Sequence, residues 1–216
     1  MKAITIGATG AVGRDLLAVL AASPDYESVE VLVRHKPTLP QEHTEKFHVH
    51  LIDFEQPETW QELVKGDVLF SSLGTSKKQA GGKQQQWRVD HDYQLFAAKA
   101  ARANGVPCMV VVSSIGADPA SRFFYTRLKG EIERDLKALG FPALIILRPP
   151  SLIRHPAKRM LETVSVKILQ ALNAIGLLKR MKPMPTLTVA KAMARLAKGK
   201  MQGAKVITGQ EIPKHT

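Results

Sequence analysis

The first stretch of the chain constrains its fold more than any other. Lys2-Ala3-Ile4-Thr5-Ile6 is a short, largely apolar run that breaks at Gly7-Ala8-Thr9-Gly10-Ala11-Val12-Gly13. Val12–Ala22 then has helical apolar spacing and an alanine-rich composition. Glycines between a strand and a helix serve a definite physical task. They let the strand turn sharply, let backbone N–H groups approach a diphosphate, and let helix and strand pack closely, while the helix N-terminus adds partial positive charge. The spacing is G-x-x-G-x-x-G, not G-x-G-x-x-G, but the task is the same. A glycine pattern alone is weak; its place between a β run and an amphipathic helix makes it a dinucleotide-binding signal.

Downstream, apolar runs alternate with helical periods. Val29–Val33, Phe47–Ile52, Val68–Ser71, Met109–Val112 and Ala143–Leu147 read as strands, with a short one near Lys205–Thr208. Pro57–Val64, Arg88–Asn104 and Phe123–Leu139 read as helices, the second stopping at Asn104-Gly105. Further helical segments are expected near 157–180 and 188–198. Strand runs that are apolar throughout suit strands covered on both faces. The expected fold is therefore α/β: a Rossmann-like doubly wound parallel sheet with helices on both faces and a small C-terminal helical cap. Residues 1–216 are expected to form one domain, with 1–150 as the cofactor-binding core and 151–216 as a basic cap and substrate region. Gly74–Gln86, rich in Gly, Lys and Gln, reads as a loop at the carboxyl edge of the fourth strand, its end anchored by Trp87.

The end of the second strand bears on the choice of dinucleotide. An acidic residue about 20 positions past the glycines would bind the ribose 2′-hydroxyl of NAD. Val33-Arg34-His35-Lys36 holds no carboxylate. Arg34 could instead pair with a 2′-phosphate in a charge-assisted fork, assisted by Lys36 or Arg14, so NADP (as NADPH) is expected. If Arg34 merely stacks on adenine, NAD binds as well. Asp53 and Phe54, after the third strand, are placed to meet the adenine, although Asp53 could equally cap the helix that follows. Leu73 and Gly74, after the fourth strand, are expected beneath the ribose and diphosphate.

Candidate chemistry lies further on. Tyr125 and Lys129 are four residues apart in a helix and so share one face. A free phenol has a pKa of about 10, too high for efficient proton transfer at neutral pH, and a nearby ammonium stabilises its anion. Ser113 and Ser114 end the fifth strand, where a hydroxyl could face the same cleft and hold a carbonyl oxygen. The alternative is a helix-surface pair with Tyr125 half buried.

Together these motifs resemble the short-chain dehydrogenase/reductase superfamily in its small atypical branch, and within it the Tat-interacting-protein-like NADP-binding oxidoreductases. The resemblance rests on Gly7–Gly13, Ser71-Ser72-Leu73-Gly74-Thr75, Val89-Asp90-His91-Asp92-Tyr93, Val112-Ser113-Ser114-Ile115-Gly116-Ala117-Asp118, Phe124-Tyr125-Thr126-Arg127-Leu128-Lys129-Gly130-Glu131 and Leu147-Arg148-Pro149. It implies that Tyr125 is the acid/base, Lys129 its partner and Ser114 the substrate-orienting serine, with Ser113 as rival. It also implies that Arg148 and Pro149 border the nicotinamide pocket through backbone groups. The asparagine that completes the proton relay of larger members has no counterpart; Asp90 and Asp92 occupy that region. The expected function is an NADP(H)-dependent oxidoreductase moving hydride between nicotinamide and a small carbonyl or alcohol substrate. Several relatives in this branch are regarded as regulators, so the alternative is a non-catalytic NADPH sensor acting through a protein partner.

Charge is unevenly placed. Residues 1–150 hold 18 Lys and Arg against 17 Asp and Glu, whereas 151–216 hold 13 against only Glu162 and Glu211. The basic tail reads as a pocket lid with a wet face, as a peripheral membrane-contact surface, or as a partner surface. No motif supports nucleic-acid binding, and no apolar run is long enough for a transmembrane segment. His48 and His50 lack a third ligand, so no metal is expected. With one cysteine, Cys108, and no secretory signal pattern, the expected location is cytoplasmic. Oligomeric state is not legible.

Overall fold

The computed structural model describes residues 1–153, 183–199 and 201–216. Its core is a seven-stranded sheet of β1 (Lys2–Ile6), β2 (Ser28–Val33), β3 (Phe47–Leu51), β4 (Val68–Ser71), β5 (Cys108–Val112), β6 (Ala143–Arg148) and β9 (Gly203–Thr208). The strand order is β3-β2-β1-β4-β5-β6-β9, and every pairing is parallel. Order therefore reverses between β1 and β4, the switch point where open α/β sheets bind ligands. The expected Rossmann-like α/β class is borne out.

Period-two alternation along buried strands feeds two apolar layers. Ala3, Val31, Val110 and Ile145 face one layer, completed by Leu16, Leu17 and Leu20 of α1 (Ala11–Ala22) and by Val189, Met193 and Leu196 of α6 (Thr186–Ala197). Ile4, Leu32, Met109 and Ile146 face the other. There they meet Ala97 and Ala101 of α4 (Tyr93–Ala103), and Ile132 and Leu136 of α5 (Phe124–Ala138). Both faces are thus covered, which explains why the inner runs Val68–Phe70, Met109–Val112 and Ala143–Leu147 are apolar without alternation. Burying a Leu or Ile side chain is worth about 1.5–3 kcal/mol, so these layers dominate the stability of the sheet.

Local signals set the boundaries. Pro24 follows Ser23, the residue that closes α1. Gly105, at φ +78°, closes α4: its N–H donates to Arg102 O, and Val106 N–H reaches back to Ala101 O at 2.9 Å. Pro57–Val64 forms two short 3-10 turns (Pro57–Thr59 and Gln61–Leu63) and no α-helix, because Pro57 and the tie of Trp60 Nε1 to Asp53 O hold a tight turn.

Gly74–Gln86 is not a structureless loop. It contains α2 (Lys77–Ala80) and the start of α3 (Lys83–Trp87). Ser76 caps α2 by accepting from Gln79 N–H, and Gly81, at φ +89°, ends it. Trp87 stacks on His91 with ring centroids 4.9 Å apart, as an anchor would. A π-helical turn, Arg88–Asp92, joins α3 to α4.

The helix expected near 157–180 lies outside the described residues. The described part of the basic segment returns to the core. Tyr26 donates its hydroxyl proton to Ala194 O of α6 at 2.7 Å, and β9 pairs with β6. A two-stranded parallel ladder, β7 (Leu152–Ile153) with β8 (Met184–Pro185), stands apart from the main sheet.

Candidate active site

A cleft of about 800 Å³ opens at the carboxyl ends of β1, β4 and β5. The glycine turn forms one wall. Gly7 has φ +85°, and a Cβ there would lie 2.4 Å from Leu73 N. A Cβ on Gly13 would lie 2.2 Å from Gly7 O. Both positions are closed to any side chain, so β1, the segment after β4 and α1 come together at van der Waals limits. No side chain caps α1 at Gly10, and Gly10, Ala11 and Val12 line the cleft with Thr9. Uncapped N–H groups and a positive helix end suit an anion. Arg14, Lys77 and Lys83 line the same cleft, whose one acidic lining residue among those described, Asp90, is ion-paired. Shape and charge therefore fit a dinucleotide.

The opposite wall carries the candidate chemistry. Tyr125 stands 44% exposed on the first turn of α5, and Lys129 Nζ lies 6.0 Å from the centroid of its ring. Lys129 is 4% exposed and Asp90 1%, with Nζ 3.2 Å from Asp90 Oδ2. Burial alone would depress the lysine, but the Asp90 carboxylate, helped by Tyr125 and Glu133, outweighs it and holds the ammonium above its ordinary value. Asp90 Oδ1 also accepts from Thr75 N–H at 2.7 Å, tying the segment after β4 to the π turn. That turn adds one residue to the helical repeat and brings Asp90 to the cleft.

Of the two serines, Ser113 lines the cleft and is buried; Ser114 does not line it, and donates to Ile115 O at 3.3 Å. Ser113 Oγ donates to Glu133 Oε1 at 2.5 Å. Glu133 is 2% exposed and receives Arg148 Nε at 2.9 Å and Nη2 at 2.6 Å. Hydrogen bonding to Glu133 raises the guanidinium further.

The cleft thus gathers Thr9, Gly10, Ala11, Val12, Leu73, Gly74, Ser113, Tyr125 and Lys129. Other expected residues lie elsewhere. Arg34 is exposed just past the end of β2. Asp53 is exposed and accepts from Glu55 N–H at 2.9 Å, closing a turn. Phe54 is buried among apolar residues and stacks on Tyr93 at 5.1 Å. Pro149 offers its carbonyl to Ile115 N–H, and the Arg148 side chain is bound to Glu133. Glu133, and Gln86, which lines the cleft and donates from Nε2 to Thr75 O at 3.1 Å, belong to no motif in the sequence. A signal for the first existed: Tyr125, Lys129 and Glu133 recur every four residues on α5.

Comparison with known proteins agrees with this geometry. A family described as NAD(P)H-binding matches residues 7–198. "Protein FMP52, mitochondrial" of Eremothecium gossypii is 42% identical over 155 residues, 71% of this chain and 67% of that protein. The Saccharomyces cerevisiae protein of the same name is 39% identical over 157 residues, 71% and 66% of the two chains. The chain thus spans about two thirds of the length of these relatives. The oxidoreductase ylbE from Lactococcus lactis shares the fold with a TM-score of 0.71 at 19% identity, over 95% of this chain and 89% of that one. The nucleotide-binding family expected from the motifs is borne out. The cytoplasmic location is corrected: these relatives, and others in Scheffersomyces stipitis and Emericella nidulans, are named as mitochondrial proteins. Composition and a missing secretory pattern carry no information that separates those two compartments. Among the described residues no helix is long and apolar enough to cross a membrane.

Proposed function

Because this chain belongs to the NAD(P)H-binding family, we propose that it is an NADPH-dependent oxidoreductase acting on a small carbonyl or alcohol compound. The observation that carries the reading is the meeting, in one cleft, of an uncapped glycine turn with Tyr125, Lys129 and Ser113. Nicotinamide, when bound, supplies or accepts the hydride. The chain's own residues do the rest. Tyr125 gives a proton to, or takes one from, the substrate oxygen. Lys129 places a positive charge beside that phenol. Ser113, not Ser114, contacts the substrate, since it is the serine that reaches the cleft. Arg34, exposed past β2, pairs with the 2′-phosphate, and Arg14 adds charge from the first turn of α1. Leu73 and Gly74 line the cleft and would lie beneath the ribose and diphosphate, and Asp53, exposed after β3, would meet the adenine.

NADPH oxidation measured against a panel of aldehydes, ketones and quinones tests the reading. Turnover that falls at least ~100-fold in Tyr125→Phe supports it, since a positioned acid or base contributes about 10²–10⁴. One observation favours a second reading, a non-catalytic NADPH sensor: Lys129 is already committed to Asp90. Tight NADPH binding with no turnover of any panel compound would select the sensor.

A further inference from the structure

The polarity of the cleft's serine carries a conclusion about the substrate. A serine hydroxyl has one proton to give and two lone pairs to offer. In this chain the proton is spoken for. Ser113 Oγ lies 2.5 Å from Glu133 Oε1, while Arg148 donates Nε to Oε1 at 2.9 Å and Nη2 to Oε2 at 2.6 Å. A carboxylate clamped on both oxygens by a guanidinium only accepts, so the serine must be the donor. Ser113 N–H is likewise occupied, by Leu147 O at 2.7 Å. What Ser113 turns to the cleft is therefore its lone pairs.

We infer that Ser113 meets the substrate as a hydrogen-bond acceptor, and that Glu133, by holding the serine's proton, selects compounds bearing a hydroxyl beside the reacting carbon. A bare carbonyl oxygen brings no proton, so two acceptors would face each other. A hydroxyl satisfies Ser113 and leaves the reacting oxygen to Tyr125. An acceptor lodged in a cleft and left without a donor loses far more than a hydrogen bond gains, which makes such a site reject the analogue lacking the hydroxyl. Glu133 touches no substrate. It is a positioning residue, held between the ends of β5 and β6 and one helical turn beyond Lys129 on α5. The inference rests on the oxidoreductase reading for its reacting carbon, but the serine's polarity does not.

Two measurements test it. Neutron diffraction from crystals of the deuterated protein locates the Ser113 deuteron; it is expected on the line to Glu133, and a deuteron directed into the cleft would overturn the inference. Calorimetry on the wild-type protein compares 2-hydroxyacetophenone with its methyl ether, 2-methoxyacetophenone. The hydroxyl compound is expected to bind at least ~10-fold more tightly. Ser113→Ala should erase that preference and Ser113→Thr should keep it. In Glu133→Gln, where the amide can accept from Arg148 and donate to Ser113, the preference should shrink to about threefold or less, because the serine's proton is released to the cleft. Equal binding of both probes by the wild type, or a preference that survives Ser113→Ala, overturns the inference. A binding preference that holds while no panel compound is turned over would sink the oxidoreductase reading alone.

Discussion

Asp90→Asn isolates the ion pair at the centre of the cleft. The substitution keeps the shape of the side chain and an oxygen for Thr75 N–H, and removes one charge. What remains is an ammonium that is 4% exposed, with its nearest carboxylate gone. Breaking a buried pair from one side costs about 3–5 kcal/mol, because the survivor is neither hydrated nor paired. With a urea dependence of about 3 kcal/mol/M for a chain of this size, the unfolding midpoint should fall by about 1 to 2 M. Asp90→Asn/Lys129→Met removes both charges and should recover most of the loss, since apolar replacement of a buried pair is often neutral. The pH dependence follows from sign. Asp90 holds the native Lys129 above its ordinary value, so the pair's contribution is fully present below the unfolded lysine's value of about 10.4 and is lost only as pH rises past the native one. Without Asp90, burial wins and the native value drops below the unfolded one, so the variant regains stability as pH rises toward about 10.4. The midpoint gap between wild type and variant should therefore narrow from pH 7 to pH 9.5. A gap below ~1 kcal/mol at pH 7, or a double variant no more stable than the single, would refute the reasoning.

Gly13→Ala places a methyl group 2.2 Å from Gly7 O, so NADPH affinity measured by calorimetry should fall at least ~10-fold. Gly105→Ala is its control: φ is +78° with open space around it, and it should cost about 1–2 kcal/mol of stability with nucleotide affinity unchanged. Arg34→Asp should weaken NADPH more than NADH, and equal losses would defeat the 2′-phosphate assignment. Glu55 is held down to about 2, first by hydrogen bonding to Arg88 and then to the Tyr93 hydroxyl. It thus stabilises the fold above the unfolded value of about 4.3 and ceases to as pH falls toward 2, weakly because the pair is solvent-screened. Glu55→Gln should flatten the fall in urea midpoint between pH 5 and pH 2.5.

The parts of the fold that sequence exposes are those where one force dominates. Met109–Val112 and Ala143–Leu147 are apolar on both faces because helices cover both, and no other arrangement of such runs is common in water. Gly7 and Gly13 are legible because nothing larger fits. Ser76–Gly82 misleads because Lys and Gln carry little periodic signal, so the cap at Ser76 and the stop at Gly81 are the only marks of α2. Phe54 looks like an adenine neighbour from its place after β3, yet Trp60 and Tyr93 supply a better apolar surface and draw it inward. Ser113 and Ser114 cannot be separated by position alone. Which one reaches the cleft depends on Glu133 and Arg148, contacts 20 and 35 residues away in the chain.

The small ladder of Leu152–Ile153 with Met184–Pro185 has an evolutionary implication. Its two strands run in the same direction, and Leu152 borders the cleft, so the ladder contributes to the wall that a substrate would meet. It is separate from the seven-stranded sheet, so its side chains can be exchanged while that sheet's register stays as it is, which lets selectivity diverge among descendants that keep one way of gripping a nucleotide.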